Sequence, residues 1–426
     1  MVTQRNRSRT NCSRTYLRVL RYLLVLLCAA AISGQASAQG TLSGIIRDSL
    51  TQKPLEFASV FLASTTYGST TDANGRFTLA GVPAGPYDLI VSYVGYKLLK
   101  RSITVANGPQ PLDLLLTPSA QQLRGVTVRP NPNRESDYRK FAEAFLGRSS
   151  LSRQCRIRNP DAVLVDFDAD QNVLTASSPT FLQVDNAALG YRIKYYGLKF
   201  TLSFRQQYVS FYGWPIFEEM KPRNSRQQQR WLANRERAYH GSLTHFLKSV
   251  HDNDLDYQGF LVRKLRIVPN PRFAHVDSLR KALLRFRYMQ PISAAEADSL
   301  GKWAQVPHSF SMLYMAERPI DSLRRVEPAT GQVWLRFPDY LQVTYLRESP
   351  DPAYQPARPV GAPPGSTVKL DRQISLLSLT QPEAEIQPNG QLVEPLAVFT
   401  DEYWGFEKMG ELLPLDYRPT TAPSRP

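Results

Sequence analysis

Apolar and polar positions alternate with a period of two along much of residues 44–117. The apolar members of these runs are Phe77, Leu79, Tyr87, Leu89, Val91, Tyr93, Leu112, Leu114 and Leu116. Such alternation predicts short strands that place one face in a core. Ile90 breaks the pattern because it is apolar at an outward position, and it predicts a second contact surface.

Turn residues separate these runs. In Thr71–Phe77, the Asp-Ala-Asn-Gly sequence favours a type I turn that Gly75 completes with a positive φ, which predicts a hairpin of fixed register. The proline-rich segment 82–86 predicts a rigid reversal because proline fixes φ. A last strand is predicted over residues 122–128. Short strands joined at such intervals predict a small β-sandwich.

Several phrases of this segment resemble a known domain family. They are Gly44-Ile-Ile-Arg-Asp48, Pro54-Leu-Glu-Phe-Ala58, Thr71–Phe77, Val82–Tyr87 and Val91-Ser-Tyr-Val-Gly-Tyr96. Together they resemble the carboxypeptidase regulatory-like domain, a transthyretin-like module found at the N-termini of exported Bacteroidetes proteins. The resemblance covers roughly a fifth of the 426 residues. It implies a module and no particular reaction.

Helical periodicity begins after a proline-rich break at residues 129–133. Over residues 135–146, apolar side chains recur at steps of three and four, which predicts a helix that docks by one face. Residues 225–250 carry the strongest helical pattern. Gly241 and Ser242 are predicted to divide it into two helices, with the serine capping the second.

Strand patterns fill most of the remaining chain. Period-two runs predict strands over the ranges 162–167, 173–176, 181–184, 191–196, 199–212 and 332–347. Gly197 is predicted to turn the chain between the two longest neighbouring runs. One more helix is predicted over residues 277–287, and the prolines of residues 349–365 predict an extended loop.

The patterns together predict an α+β protein, in which an N-terminal transthyretin-like β-sandwich precedes a larger mixed α+β domain. The predicted divisions are a signal peptide at residues 1–38, a carboxypeptidase regulatory-like β-sandwich at 39–128, an α+β domain of unknown function at 129–417 and a disordered tail at 418–426. The larger domain is predicted to form one unit of about 280 residues.

Two phrases of the larger domain also carry a resemblance. Asn234–Leu247 and Trp404–Tyr417 resemble the C-terminal region of Bacteroidetes proteins that are named only for the regulatory domain. This resemblance implies a shared architecture along nearly the whole mature chain. It implies no chemistry.

The first 38 residues have the build of a secretory signal. Six arginines precede an apolar run at residues 22–32 that is too short to span a bilayer, and Ala36-Ser-Ala38 fits a signal-peptidase site. An exported protein is therefore predicted, periplasmic or associated with the outer membrane. A lipid anchor on Cys28 is the alternative, which the large leucines before it disfavour. No transmembrane span is predicted after cleavage.

Composition adds little evidence for a charged partner. The formal charge is +15, but six of the 52 basic residues lie in the signal, which leaves 46 basic and 37 acidic residues, or +9. This surplus indicates a solvated arginine-rich face, with anionic envelope surfaces or lipopolysaccharide as the alternative partners. No nucleic-acid partner is predicted.

Candidate chemistry is sparse. Cys155 is the only cysteine outside the signal, and it is interpreted as a small buried apolar residue rather than a nucleophile. None of the five histidines stands in a His-x-x-Glu or His-Glu-x-x-His motif, so the zinc site of a carboxypeptidase is not predicted. No Gly-x-Ser-x-Gly, Gly-x-Gly-x-x-Gly or Walker sequence appears either.

Three further groups of candidate site residues are each interpreted as structural. His245 and His251 with Asp252, Asp254 and Asp256 lack calcium-loop spacing and are interpreted as a solvated helix end. Asp166, Asp168 and Asp170 are interpreted as a solvent-facing stripe. The aromatic cluster is interpreted as sheet core, with stacking on sugars or peptides as the alternative; its members are Tyr191, Tyr195, Tyr196, Tyr208, Phe211, Tyr212 and Trp214.

Three function classes follow. The first is a non-catalytic cell-envelope binding or assembly protein, whose sandwich docks and whose second domain holds an envelope protein or a glycan. The second is an envelope hydrolase, which a buried carboxylate pair with raised pKa in a pocket would favour. The third is a soluble accessory to TonB-dependent outer-membrane transport. No catalytic, cofactor-binding or metal-binding residue is predicted, and no cofactor is predicted.

Overall fold

The computed structural model describes residues 39–119, 132–285, 292–356 and 370–420. The predicted signal, the strand at 122–128, the proline-rich part of the loop beyond residue 356 and the last residues of the tail lie outside this described part. The described chain is mixed, with more strand than helix. No helix within it is long and apolar enough to cross a membrane.

The first domain is rich in sheet. Its strands are β1 (Gln39–Asp48), β2 (Ser59–Leu62), β3 (Gly68–Thr70), β4 (Arg76–Pro83), β5 (Gly85–Ser92), β6 (Leu99–Val105) and β7 (Gly108–Leu116). They form two sheets, in the orders β4-β1-β7 and β3-β2-β5-β6. Phe77, Leu79, Leu89 and Val91 from both sheets share one core, as the alternation predicts.

The turn at Asp72–Gly75 corrects one prediction. Gly75 has a positive φ of 70° and its N–H donates to the Asp72 carbonyl, as the turn sequence predicts. The turn does not close a hairpin, however, because β3 and β4 belong to different sheets. The local sequence specifies the reversal, whereas the pairing of each strand depends on distant partners.

The second group of elements surrounds a middle core. It contains α1 (Arg134–Leu146) and the strands β8 (Cys155–Ile157), β9 (Leu164–Asp168), β10 (Val173–Ser177), β11 (Phe181–Asn186), β12 (Tyr191–Ser203) and β13 (Tyr208–Glu219). The sheet order is β8-β11-β12-β10-β9, with β13 paired to β12. Phe141 and Phe145 of α1 are fully buried against this sheet, so the predicted docking face is confirmed.

Gly197 does not turn the chain. It lies inside β12 at a shift of register with β13, and its positive φ of 59° is that of a β-bulge. The turn comes after Ser203 instead, where Gln207 adopts the left-handed conformation. Strand β12 therefore contains the first predicted run and the start of the second, and the end of the second run belongs to β13.

The third group surrounds a C-terminal core. Its helices are α2 (Ser225–Tyr239), α3 (Leu243–Asp252), α4 (Leu255–Gln258), α5 (Pro271–Arg285), α6 (Ala294–Ala304) and α7 (Tyr403–Phe406), of which α2 reaches back to the middle core. Its strands are β14 (Phe260–Pro269), β15 (Ser309–Glu317), β16 (Arg324–Val326), β17 (Val333–Leu335), β18 (Tyr340–Tyr345), β19 (Gln373–Leu379), β20 (Ala384–Ile386) and β21 (Val398–Glu402). They form sheets in the orders β15-β14-β18-β19-β21 and β16-β17-β20.

Residues beyond 132 thus contain two separate hydrophobic cores, where the sequence predicts one unit. The first domain contacts the middle core through a small cluster that includes Phe61, Ile90, Tyr196 and Ile216. This contact explains why Ile90 is apolar at an outward-facing position of its strand. Apart from one isolated bridge between Thr65 and Ile216, strands of the first domain pair among themselves.

Candidate functional site

A cavity of about 560 Å³ lies where the middle core meets the C-terminal core. Most of its lining comes from two stretches of chain, residues 238–258 and residues 400–419. Ala238 belongs to the middle core, while Trp404 belongs to the C-terminal core. These stretches overlap the two phrases that the sequence set apart by resemblance, so the fold brings those phrases together in one site.

The C-terminal segment, residues 404–417, ties the cores to each other. The Trp404 indole N–H donates to the carbonyl of Gly241 over 2.7 Å, which joins α7 to the start of α3. Met409 then enters the middle core. The Asp416 carboxylate finally accepts a hydrogen bond of 2.9 Å from the Thr66 N–H of the first domain. The C-terminal segment, which lines the cavity, therefore also connects all three parts of the protein.

Glu407 is the most unusual group that faces the cavity. Within the described part of the chain, its carboxyl has neither a hydrogen-bond donor nor a salt-bridge partner at bonding distance. Burial, and next the neighbouring Glu411, raise the pKa of Glu407 well above its ordinary value of 4.5. Burial therefore favours the neutral form of the Glu407 carboxyl that faces the cavity.

Glu411 differs because both of its oxygens are occupied. One carboxylate oxygen accepts a hydrogen bond from the Ser149 hydroxyl, and the other accepts one of 3.0 Å from the Lys408 backbone N–H. Burial raises the pKa of Glu411, while these two hydrogen bonds oppose the shift. Its role is thus to hold the C-terminal segment on the loop that follows α1.

The histidines of the cavity are neutral at pH 7. Burial lowers the pKa of His245 to about 4 and also lowers the pKa of His240. The Gly241 N–H donates to Nδ1 of His245 over 3.1 Å, so this ring carries its proton on Nε2, which lies 3.1 Å from Gln258 Oε1. Nδ1 of His240 is buried without a hydrogen-bond partner among the described residues.

The permanently charged groups of the lining are already engaged. Lys248 pairs with Asp252 over 2.5 Å, and the Arg418 guanidinium donates to the carbonyls of Leu415 and Tyr417. The Lys408 ammonium donates to backbone carbonyls of Gly405 and Glu407, and burial lowers its pKa. The cationic side chains of the lining are thus engaged, whereas Oδ1 of Asp254 is buried without a hydrogen-bond partner among the described residues.

The residues that the sequence considered for metal binding do not converge. His251 and Lys248 both contact Asp252. The His245 ring instead packs against the ring of Phe260 in β14, with 4.9 Å between the ring centroids. No set of three or more His, Cys, Asp or Glu side chains in the described ranges is arranged to hold a metal ion. Cys155 is buried and unpaired by disulfide, and burial raises its thiol pKa to about 12, which makes it a poor nucleophile.

The aromatic cluster is divided between core and surface. Tyr191, Tyr195 and Tyr196 are buried, as the core interpretation predicts, whereas Phe211 reaches the cavity lining. The sequence did not single out Glu407 or Glu411. The phrase Trp404–Tyr417 was the only signal that pointed at them, because their partners lie far away in the chain.

Ser242 occupies the capping position that the sequence predicts. Its hydroxyl accepts a hydrogen bond of 3.2 Å from the His245 N–H and caps α3. Replacing Ser242 with alanine is expected to lower the free energy of unfolding by about 1 kcal/mol, measured by urea denaturation. Ser242→Asn keeps a capping oxygen and should restore stability. A stability loss of equal size in both variants would contradict the capping role.

Comparison with protein families identifies the first domain. Residues 42–128 match the model of the CarboxypepD_reg-like domain, which confirms the regulatory-like domain that the sequence resembles. Comparison with curated proteins gives no match. The family match does not extend to the cavity or to the two later cores.

Several solved structures share short stretches of similarity. A cohesin–X-dockerin complex chain of Acetivibrio cellulolyticus is 26% identical over 18% of this chain and 52% of that chain, with a TM-score of 0.15. BcpA, the major pilin subunit of Bacillus cereus, is 20% identical over 19% of this chain and 31% of that chain, with a TM-score of 0.18. The protein therefore spans about half or less of these relatives, and TM-scores of this size support no argument.

Proposed function

We propose that the protein is an exported, non-catalytic binding protein of the cell envelope. Its transthyretin-like first domain serves as the docking module, and the cavity between the later cores holds a small uncharged glycan. The proposal of export depends on the signal-like residues 1–38, and that of docking depends on the regulatory-like domain. The cavity is the observation that supports binding.

The chemistry of the lining favours an uncharged, hydroxyl-rich ligand. Burial raises the pKa of Glu407 and lowers that of His240, which favours the neutral form of both groups, while Lys248 and Arg418 already contact other groups of the protein. Tyr239 and Tyr417 add aromatic surface, with ring centroids 5.8 Å apart. Aromatic faces combined with a few polar groups are typical of pockets that orient a small ligand.

Glycan binding is tested by thermal unfolding with short N-acetylated oligosaccharides as probes. A saturating ligand raises the unfolding midpoint of a protein that binds it in the folded state. We expect this rise for the wild type and for Tyr257→Ala, which removes an exposed tyrosine outside the cavity. For Tyr417→Ala, the ligand concentration that gives the same rise should be about 5- to 150-fold higher, since one aromatic stacking contact contributes about 1–3 kcal/mol. Equal responses of the two variants would contradict binding in this cavity.

An envelope hydrolase is the second candidate, and one observation favours it. Glu407 and Glu411 are neighbouring carboxyls in a cavity, and burial raises the pKa of both. Hydrolysis of glycans uses a pair of carboxyls, one protonated and one ionised. Against this candidate, both Glu411 oxygens already accept hydrogen bonds, so only Glu407 remains free to exchange a proton. Release of new reducing ends from the same oligosaccharides, abolished by Glu407→Gln, would replace binding by hydrolysis as the function.

A further inference from the structure

Exposed apolar side chains are concentrated in a region outside the cavity and the cores. This region, the basic arm, comprises the described residues 263–285 and 292–317, which include β14 from Arg263 onward, α5, α6 and β15. Eight of the 21 large hydrophobic residues that the described chain leaves exposed lie in the arm: Ile267, Leu279, Leu284, Ile292, Phe310, Met312, Tyr314 and Met315. Val276 is the only buried side chain of α5, and α6 has none.

Strand β15 explains why part of this surface stays open. It is an edge strand of the five-stranded sheet, with β14 as its only neighbour in that sheet. Directly paired residues share a face, and Arg266 pairs with Met312 while Val268 pairs with Phe310. By alternation, Tyr314 lies on this same face, where the Lys264 ammonium is 5.4 Å from its ring centroid.

The arm is basic on balance. Its first part, between Arg263 and Arg285, has seven basic residues and one acidic residue, whereas the whole arm has eight basic and four acidic residues. Lys281 is paired with Asp277 and Lys264 with Asp339, but exposed Arg266 and Arg272 have no ion pair within the part of the chain described. An unpaired cation, Arg266, therefore lies beside the exposed Met312 on one face of the sheet.

We propose that the basic arm docks on an anionic lipid surface, through the basic face formed by Lys264, Arg266, Phe310, Met312 and Tyr314. Basic side chains next to such a surface bind its phosphates, while neighbouring apolar side chains enter the boundary between headgroups and acyl chains. The pairing of Arg266 with Met312 puts both kinds of group side by side.

Charge and chemistry disfavour the other occupants of this face. A second copy would bring two basic faces together, and like charges across an interface repel. A nucleic acid would use the cations and could stack on Phe310 and Tyr314, but it gains little from Met312, a thioether side chain of the same face. An acyl boundary accommodates all three apolar side chains.

The proposal is tested by flotation of the full chain with vesicles. We expect binding to vesicles of equal parts phosphatidylglycerol and phosphatidylcholine, little binding to phosphatidylcholine alone, and a loss of binding at high salt. Arg266→Glu should weaken the anionic-vesicle affinity at least tenfold. Met312→Ser should weaken it several-fold without changing the salt dependence.

Matched variants separate this face from general properties of the protein. Arg101→Glu reverses an exposed charge in the first domain, and Phe399→Ser removes an exposed ring from the opposite edge strand of the same sheet. Both should bind like the wild type, and all four variants should keep its unfolding midpoint. Equal losses in Arg101→Glu and Arg266→Glu, vesicle binding independent of lipid charge, or binding to an oligonucleotide but not to vesicles would each overturn the proposal. So would a dimer that forms without any vesicle binding.

Discussion

Replacing Trp404 with alanine is expected to lower the free energy of unfolding by about 3–5 kcal/mol, the range for deleting a large buried aromatic side chain. The Trp404 side chain is 5% exposed, and its ring centroid lies 5.2 Å from that of Phe246. Its indole also donates to the Gly241 carbonyl. The loss thus combines packing with an orphaned buried carbonyl, and urea denaturation measures it.

Two further variants separate the contributions of Trp404. Trp404→Phe keeps an aromatic ring but removes the donor, so we expect a smaller loss of about 1–2 kcal/mol. Phe399→Ala removes a ring that is 42% exposed on the preceding strand, and should cost less than about 0.5 kcal/mol. If Trp404→Ala lowered the free energy of unfolding no more than Phe399→Ala does, the C-terminal segment would not hold the cores together as its contacts indicate.

Local patterns predicted the first domain better than its connections. Alternation at Phe77, Leu79, Leu112 and Leu114 identified strands because burial on one face imposes a period of two. The same local signals did not determine which strands pair, so the turn at Gly75 was assigned to a hairpin that the structure does not contain. Pairing is decided by burial between residues far apart in the chain.

A positive φ at glycine is ambiguous in the same way. Gly197 and Gly75 adopt nearly the same φ, yet the first lies in a bulge within β12 and the second in a connection between sheets. The real turn between β12 and β13 places Gln207 at positive φ, where the sequence has no glycine to announce it. Residue type alone therefore placed that turn about ten residues too early.

The basic arm was predicted only in part. The helix predicted over residues 277–287 overlaps α5, whereas α6 and the two strands were not predicted. Helix α6 begins with a capping box, in which Ser293 and Glu296 exchange hydrogen bonds, and this signal is visible in the sequence. Few side chains of the arm enter a core, so little of the arm carries the periodicity that a buried face imposes.

The cavity lies beyond what local patterns can predict. Ser149 and Glu411 contact each other across 262 positions of sequence, and Trp404 and Gly241 across 163. Only the folded chain places the Glu407 carboxyl where water and donors are scarce. The raised pKa of that group is thus a consequence of tertiary structure, and it provides the second large prediction.

Replacing Glu407 with glutamine is expected to stabilise the protein increasingly as the pH rises. The pKa of Glu407 is raised in the folded state, so between its ordinary value of 4.5 and its folded value the native protein holds one proton more than the unfolded chain. Stability that depends on this proton is complete below pH 4.5 and is lost as the pH rises through the folded pKa. The amide of Glu407→Gln does not titrate and loses nothing.

The measurement is the free energy of unfolding of both proteins as a function of pH. We expect them to be nearly equal at pH 4 to 5, with the variant gaining about 1.4 kcal/mol on the wild type for each pH unit above that, until the pH passes the folded pKa of Glu407. Glu411→Gln is the matched contrast, because an amide has one acceptor oxygen while Glu411 uses two. It should destabilise the protein by about 1–2 kcal/mol. A constant difference between Glu407→Gln and the wild type across this range would show that Glu407 titrates normally, and the cavity would then present a carboxylate instead of the neutral carboxyl on which an uncharged ligand depends.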